Sequence, residues 1–171
     1  MTQRHEYVYR LTDLAFDAQH IVDGETLLRN PVQTDAEALA ALMLDAYRGT
    51  TDDDGETIDD ARAEVASFFA AQTDPPLLPC SWLCIRSDRI VAACLVLWWA
   101  KRGVPLIAYV MTRADSKRMA LGRRAALHSL ASAQQAGYAE IRAVITDGNT
   151  PSERLFARIG FAPVGERESK T

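Results

Sequence analysis

The sequence predicts an α/β fold in which helices flank a mixed, mostly antiparallel central sheet. Three β-rich runs follow one another between residues 81 and 112 with short turns between them, which is typical of an antiparallel meander. A long helical pattern then precedes a further β-rich run, and a strand-helix-strand unit of this kind implies one parallel pair joined by a right-handed crossover. The 171 residues fit a single domain.

The first half of the chain predicts two helices after a short strand. Residues 1–24 are expected to be an N-terminal extension in which "EYVYRL" could form an extra strand of unknown position. The run "ETLLRNPVQ" predicts a strand, and a capping-box pattern from Thr34 to Glu37 predicts a helix that ends near Tyr47. After an acidic loop, Thr57 is expected to cap a second helix, which ends before Pro75.

The second half predicts the meander and its crossover. The runs "SWLCIR", "IVAACLVLWW" and "PLIAYVMT" are its strands, and the helical pattern that follows extends from about Ser116 to Ala136. "YAEIRAVIT" predicts the next strand, and "TPSERLFARI" a short helix with Pro151 in its first turn. "FAPVG" predicts a final short strand.

Composition excludes several classes of protein. A net charge of −4 argues against broad binding to nucleic acid or to an anionic membrane. The longest apolar run, residues 90–100, is too short to cross a bilayer, and the polar start lacks a secretory core, so we expect a cytoplasmic protein. A homodimer is compatible with the sequence. We expect neither a disulfide framework nor a metal site from the few cysteines and histidines, which are Cys80, Cys84, Cys94, His5, His20 and His128.

Basic side chains gather around a small-residue core at the start of the long helical pattern, in "SKRMALGRRAALHSL". A helix N-terminus offers unpaired amides and the positive end of the helix dipole. Ala120 and Gly122 would let a pyrophosphate approach the backbone, while Lys117, Arg118 and Arg123 could reach its oxygens. The pattern therefore predicts a site for a diphosphate carrier, and the alternative is a solvated polar helix face.

Two segments resemble those of one known family. Residues 117–122, "KRMALG", resemble the phosphate-loop pattern [QR]-x-x-G-x-[GA] of the GNAT superfamily of acyl-CoA-dependent N-acyltransferases. Residues 149–161, "NTPSERLFARIGF", resemble its N-x-x-A-x-x-L-Y-x-x-x-G-F segment. The resemblance, which spans about Glu25 to Gly165, implies transfer of acetyl from acetyl-CoA to a primary amine by direct attack. A CoA-binding module or sensor without turnover is the alternative, whereas the dinucleotide pattern G-x-G-x-x-G is absent.

The resemblance also implies a set of cofactor-binding residues. Part of the predicted strand "PLIAYVMT" would diverge from the next strand and pair with the pantetheine arm, the phosphate loop would hold the pyrophosphate, and the start of the last helix would contact the arm. For Asn149 a simple helix N-cap is the alternative. The implied residues are Val110, Met111, Thr112, Lys117, Arg118, Met119, Ala120, Leu121, Gly122, Arg123, Asn149, Ser152 and Phe156.

Three positions depart from the family pattern. Lys117 stands at the usual Gln or Arg, and Ala120 stands at the first Gly. Phe156 replaces the tyrosine that commonly protonates the departing thiolate. A thiol has a pKa of about 8.5, so CoA can leave as a thiolate, and loss of a general acid costs roughly 10²- to 10⁴-fold in rate. The departures thus affect catalysis more than cofactor binding.

Catalytic groups must come from outside the pattern. The strand "PLIAYVMT" carries no carboxylate, so the glutamate base of some GNAT enzymes is missing. Acidic residues crowd the segment 45–60, which suggests a cationic acceptor, and Asp54 or Glu56 could act as base through water. A solvated loop with helix-capping acids is the alternative. Tyr109 is a candidate to replace the missing acid.

Overall fold

The computed structural model describes residues 3–15 and 23–165 of the chain. The helices and strands follow the order that the sequence predicts. In chain order they are β1 Arg4–Arg10, β2 Leu27–Arg29, α1 Ala36–Tyr47, α2 Ile58–Ala70, β3 Trp82–Arg86, β4 Arg89–Trp99, β5 Val104–Thr112, α3 Leu121–Gln135, β6 Glu140–Thr146, α4 Thr150–Ile159 and β7 Ala162–Pro163.

The strands form one seven-stranded sheet in the order β2-β3-β4-β5-β6-β1-β7. Neighbouring strands are antiparallel except β5 and β6, which are parallel. Because α3 connects these two strands, the crossover lies where the sequence predicts it. The predicted mixed, mostly antiparallel sheet with flanking helices is confirmed.

The N-terminal run forms β1, which lies between β6 and β7. Its residues pair with β6 from Arg4 opposite Thr146 to Arg10 opposite Glu140. β7 pairs on the other side of β1 through Ala162 and Pro163. The predicted extra strand therefore exists and is an interior strand, while the rest of the predicted extension, residues 1–2 and 16–22, lies outside the described residues.

Apolar side chains bury both faces of the sheet. One core lies against α3 and α4 and includes Leu130 and Phe156, and the other lies against α1 and α2 and includes Leu42 and Phe68. Strand β4 contributes to both cores, and its residues 90–96 are all buried. Burial on two faces explains why this strand reads as a continuous apolar run.

Two predicted helix starts have different outcomes. Thr57 caps α2 as predicted, because its Oγ1 accepts the Asp60 N–H while the Asp60 carboxylate accepts the Thr57 N–H. The capping box predicted from Thr34 to Glu37 is wrong, since α1 begins at Ala36 after a short 3-10 turn, Gln33–Asp35. The buried carboxylate in this turn belongs to Asp35 and accepts two bonds of 2.8 Å from Arg29.

Candidate active site

Strands β5 and β6 separate along their length, which opens the centre of the sheet. They pair only at Leu106 opposite Arg142 and at Ile107 opposite Ala143. On its other edge β5 has a register shift against β4, where Ala108 is the extra residue between Ile107 and Tyr109. An extra residue bends a strand, so β5 turns away from β6 at this point.

The residues predicted to contact the pantetheine arm lie beyond this bend. Val110, Met111 and Thr112 pair with β4 on one side and form no ladder pair with β6 on the other. The irregular residue that starts the divergence is Ala108, which the sequence did not indicate. Backbone groups on the open edge are therefore positioned to bond an extended ligand.

The sequence predicted that the basic segment between β5 and α3 is the start of an α-helix, but the structure shows otherwise. Residues Ala114–Met119 form a 3-10 helix, Ala120 adopts a left-handed conformation with φ 54° and ψ 27°, and α3 begins at Leu121. The predicted helix start at Ser116 is therefore wrong. The left-handed residue separates the 3-10 helix from α3, and the first bond of α3 runs from the Arg124 N–H to the Ala120 carbonyl oxygen, so the amides that begin α3 without a partner in that helix belong to Leu121, Gly122 and Arg123.

Gly122 brings the first turn of α3 against β5. A Cβ atom added at this position would lie 2.7 Å from Thr112 Oγ1 and 3.3 Å from Val110 Cγ1. Real Cβ atoms do not approach so closely, so any side chain at this position would force Thr112 to shift. The amides of α3 thus lie beside the part of β5 that has left β6.

The cations of this segment have different surroundings. Arg118 and Arg123 are exposed, and so are Met119 and Ala120. Lys117 extends toward α1, where its Nζ lies 3.4 Å from the Ala46 carbonyl oxygen. Arg118 and Arg123 are therefore free to reach a ligand at the helix start, whereas Lys117 must leave the end of α1 to do so.

A small cavity of about 100 Å³ fills the gap between β5 and β6. Asn149 lies in its wall and caps α4, since its Oδ1 accepts the Ser152 N–H at 3.2 Å. The side-chain nitrogen of Asn149 donates to Asp52 Oδ2 at 2.7 Å. Asn149 is therefore a helix N-cap, as the alternative interpretation held, and in addition it bonds the loop after α1. Phe156 also lines the cavity, packs edge-on against Phe161 and has no hydroxyl to offer.

A larger cleft of about 760 Å³ lies on the α1–α2 side of the same gap. Its acidic lining residues are Asp52, Asp53, Asp54, Glu56, Asp60 and Glu64, and its basic ones are Arg4 and Arg48.

Two of these acids have structural roles, which agrees with the alternative interpretation of this segment as a solvated loop with helix-capping acids. The pKa of Asp53 is lowered because its carboxylate accepts the Gly49 and Gly55 N–H groups, and the pKa of Asp60 is lowered by its bonds to Thr57.

The three predicted catalytic residues lie in this larger cleft and do not line the small cavity. Asp54 and Glu56 are exposed, and Glu56 Oε2 accepts the Asp54 N–H at 3.0 Å. The Tyr109 hydroxyl donates to Glu64, a residue that the sequence did not single out. Burial and the Glu64 carboxylate raise the pKa of Tyr109.

Two further residues, which the sequence analysis missed as site residues, line both cavities. Tyr47 comes from the last turn of α1 and Asp52 from the loop that follows. Asp52 belonged to the acidic cluster in the sequence, but no local pattern distinguishes it from its neighbours. Nothing in the sequence signals Tyr47, because its position depends on contacts between α1 and the central strands.

The cysteines and histidines give no metal site in the described part of the chain. Cys80, Cys84 and Cys94 are free and buried, and burial raises the pKa of each thiol. No group of three metal-binding side chains occurs within residues 3–15 and 23–165, and His20 lies outside them. No helix in the described ranges has both the length and the apolar character needed to span a membrane.

A sheet that splits between two parallel strands, with a helix start facing the split, is the arrangement that the resemblance to acyl-CoA-dependent acyltransferases implied. A family model described as an acetyltransferase (GNAT) domain matches residues 25–162. The chain belongs to this family. A search of curated proteins finds no match.

Solved structures of the same fold accompany this match. A GCN5-related N-acetyltransferase from Sphaerobacter thermophilus has a TM-score of 0.70 at 17% identity over 95% of this chain, which spans only 48% of that protein. The ribosomal-protein-S18-alanine N-acetyltransferase from Escherichia coli has a TM-score of 0.62 at 14% identity, over 80% of this chain and 77% of that one.

An aminoglycoside N-acetyltransferase, AAC(6')-Iy, in complex with a CoA bisubstrate analogue has a TM-score of 0.58 at 12% identity. The match covers 80% of this chain and 90% of that one. At such identities these likenesses establish the fold.

Proposed function

We propose that the chain transfers an acetyl group from acetyl-CoA to a primary amine. The observation that carries this proposal is the split between β5 and β6, which opens beside the free amides at the start of α3. Complexes of the aminoglycoside enzyme with CoA and with a CoA-derived bisubstrate analogue support acetyl-CoA as the acyl donor.

The proposed contacts follow the cofactor from end to end. The pyrophosphate lies against the segment from Lys117 to Arg123, within reach of the free amides. The pantetheine arm extends along the open edge of β5 from Thr112 to Val110, and the thioester enters the small cavity beside Asn149. The remaining predicted contacts are Met111, Ser152 and Phe156.

The larger cleft is proposed to receive a cationic acceptor. Its six carboxylates against two arginines make a negative field that concentrates ammonium groups. An alkylamine of pKa about 10.4 is neutral in about one molecule in 2,500 at pH 7, a handicap of about 4.6 kcal/mol. Carboxylates stabilise the ammonium form further, so a proton acceptor is required at the point of attack.

The reaction needs no covalent enzyme intermediate. The amine attacks the thioester carbonyl directly, and the cleft contributes by holding the two reactants in one orientation. One of the structurally similar proteins is an aminoglycoside N-acetyltransferase, and another is a ribosomal-protein-S18-alanine N-acetyltransferase. These two proteins support both small-molecule amines and protein amines as candidate acceptors. A cytoplasmic location and a homodimer stay predictions.

Thiol release from acetyl-CoA tests this proposal. We expect 1,4-diaminobutane or spermidine to accelerate release and aniline, a neutral aromatic amine, to have little effect. Fast acetylation of aniline with no reaction of the cationic amines would contradict the acceptor class.

The second candidate function is a CoA-binding module without turnover, and two observations favour it. Phe156 has no hydroxyl, and β5 carries no carboxylate. Binding of acetyl-CoA without amine-dependent release across the panel would select this candidate.

A further inference from the structure

The two cavities described above meet at one wall, and this wall carries two side chains suited to proton transfer. Residues shared by both linings are Tyr47, Asp52, Ile107, Ala108, Val144 and Thr146. Of these six shared residues, all within the described part of the chain, Asp52 is the one that carries a carboxylate and Tyr47 the one that carries a phenol. In a transferase the donor and the acceptor must meet at such a junction, so these groups lie where protons must move.

Tyr47 is suited to give a proton. Its hydroxyl has no hydrogen-bond partner among the residues that the structure describes, so it is available to a ligand in the gap. Burial, together with the charges of Asp52 and Glu64, raises the pKa of Tyr47, which keeps the phenol protonated at neutral pH. Phe156, by contrast, lines the small cavity without any group that can donate.

Asp52 is suited to take a proton. The Asn149 amide holds its Oδ2 at 2.7 Å, and the Asp52 N–H donates to Thr50 Oγ1 at 3.3 Å, so backbone and side chain are both fixed. Its Oδ1 accepts no hydrogen bond within the described ranges. Asp54 and Glu56, the bases expected from the sequence, line the larger cleft but not the small cavity.

We infer that Asp52 accepts the proton of the attacking amine and that Tyr47 donates a proton to the sulfur of CoA. This inference rests on the proposed function. An acceptor that binds as the ammonium ion first releases one proton to water. The neutral amine nitrogen then forms a bond to the acetyl carbon, the carbon–sulfur bond breaks, and the sulfur takes the Tyr47 proton. Asp52 then returns the amine proton to the Tyr47 phenolate, so one proton moves from nitrogen to sulfur per turnover and both side chains are restored.

Replacement of Tyr47 tests the donor. Tyr47→Phe removes only the hydroxyl, and we expect kcat to fall by about 10²- to 10⁴-fold while acetyl-CoA binds within about twofold of wild type. The double variant Tyr47→Phe with Phe156→Tyr places a phenol at another position in the lining of the same cavity, and we expect it to recover at least about tenfold of the lost rate. Tyr138→Phe, which lies outside both cavities, is the matched control and should keep full activity.

Replacement of Asp52 tests the acceptor. Asp52→Asn retains an oxygen that can accept the Asn149 bond but cannot take a proton, so we expect kcat to fall by about 10²-fold or more. The loss should shrink as the pH rises, because hydroxide then takes the amine proton in place of the missing carboxylate. Asp88→Asn is the matched control, since Asp88 lies in the β3–β4 turn away from both cavities.

The outcomes separate this inference from the proposed function. Amine-dependent turnover by wild type with an undiminished kcat in Tyr47→Phe or Asp52→Asn would overturn the inference and leave the transferase intact. Wild type that binds acetyl-CoA but releases no thiol with 1,4-diaminobutane or spermidine would overturn both. A double variant that stays as slow as Tyr47→Phe would show that Tyr47 has a structural role and would overturn the donor assignment.

Discussion

Ala120 is the residue for which the structure predicts a gain in stability from a single substitution. Its φ of 54° and ψ of 27° lie in the left-handed region, which costs an L-residue about 1–2 kcal/mol. Ala120→Gly removes that cost but adds about 0.5–1 kcal/mol of conformational entropy to the unfolded chain. The net expectation is a gain of about 0.5–1 kcal/mol, which corresponds to a rise in Tm of about 1–4 °C for a chain of this size.

The same substitution elsewhere gives a control with the opposite sign. Ala41 is exposed in the interior of α1, where Ala→Gly costs about 1 kcal/mol. We expect thermal unfolding followed by circular dichroism to show a higher Tm for Ala120→Gly and a lower Tm for Ala41→Gly. A Tm that falls equally in both variants would refute the left-handed conformation of Ala120 and with it the observed start of α3.

Two further predictions concern packing and pH. Gly122→Ala should lower the free energy of unfolding by about 1–2 kcal/mol, because the new methyl group would lie 2.7 Å from Thr112 Oγ1. In urea titrations, adding Thr112→Ala should recover most of this loss. Strictly additive effects of the two substitutions would argue against the contact. Bonds from Arg29 lower the pKa of Asp35 in the folded state, so its stabilisation is present above the ordinary carboxyl pKa of about 4 and is lost as the pH falls below it. The urea midpoint should therefore fall more steeply between about pH 5 and 3 in wild type than in Asp35→Asn, and parallel curves would contradict this assignment.

The parts of the fold that the sequence predicted are those set by local patterns. The meander follows from three apolar runs with short turns, and the cap at Thr57 follows from a spacing of three residues to Asp60. Thr34 and Glu37 show a similar spacing, yet no capping box forms because the Asp35–Arg29 pair occupies the turn. An ion pair with the preceding strand β2, only six residues away, overrides the capping signal.

The candidate site was predictable where a motif supplied it and not where distant segments meet. The helix start beside the predicted phosphate loop was expected at about Ser116, and the left-handed Ala120 moves it to Leu121. Phosphate binding by this loop stays a prediction. Tyr47 and Asp52 reach the central gap only because α1 packs on the sheet and the following loop bonds Asn149. That bond joins positions 97 residues apart, and no periodicity or spacing in the sequence encodes such a contact.

The most direct test of the account is titration of acetyl-CoA into wild type and into a variant with the three cations of the phosphate loop replaced by Gln. The replaced residues are Lys117, Arg118 and Arg123, and a control variant replaces three cations outside both cavities, Arg10, Lys101 and Arg158. We expect micromolar binding by wild type and by the control, and a Kd at least about tenfold higher in the phosphate-loop variant with an unchanged Tm. Equal affinity in all three proteins would contradict the placement of the cofactor at the start of α3.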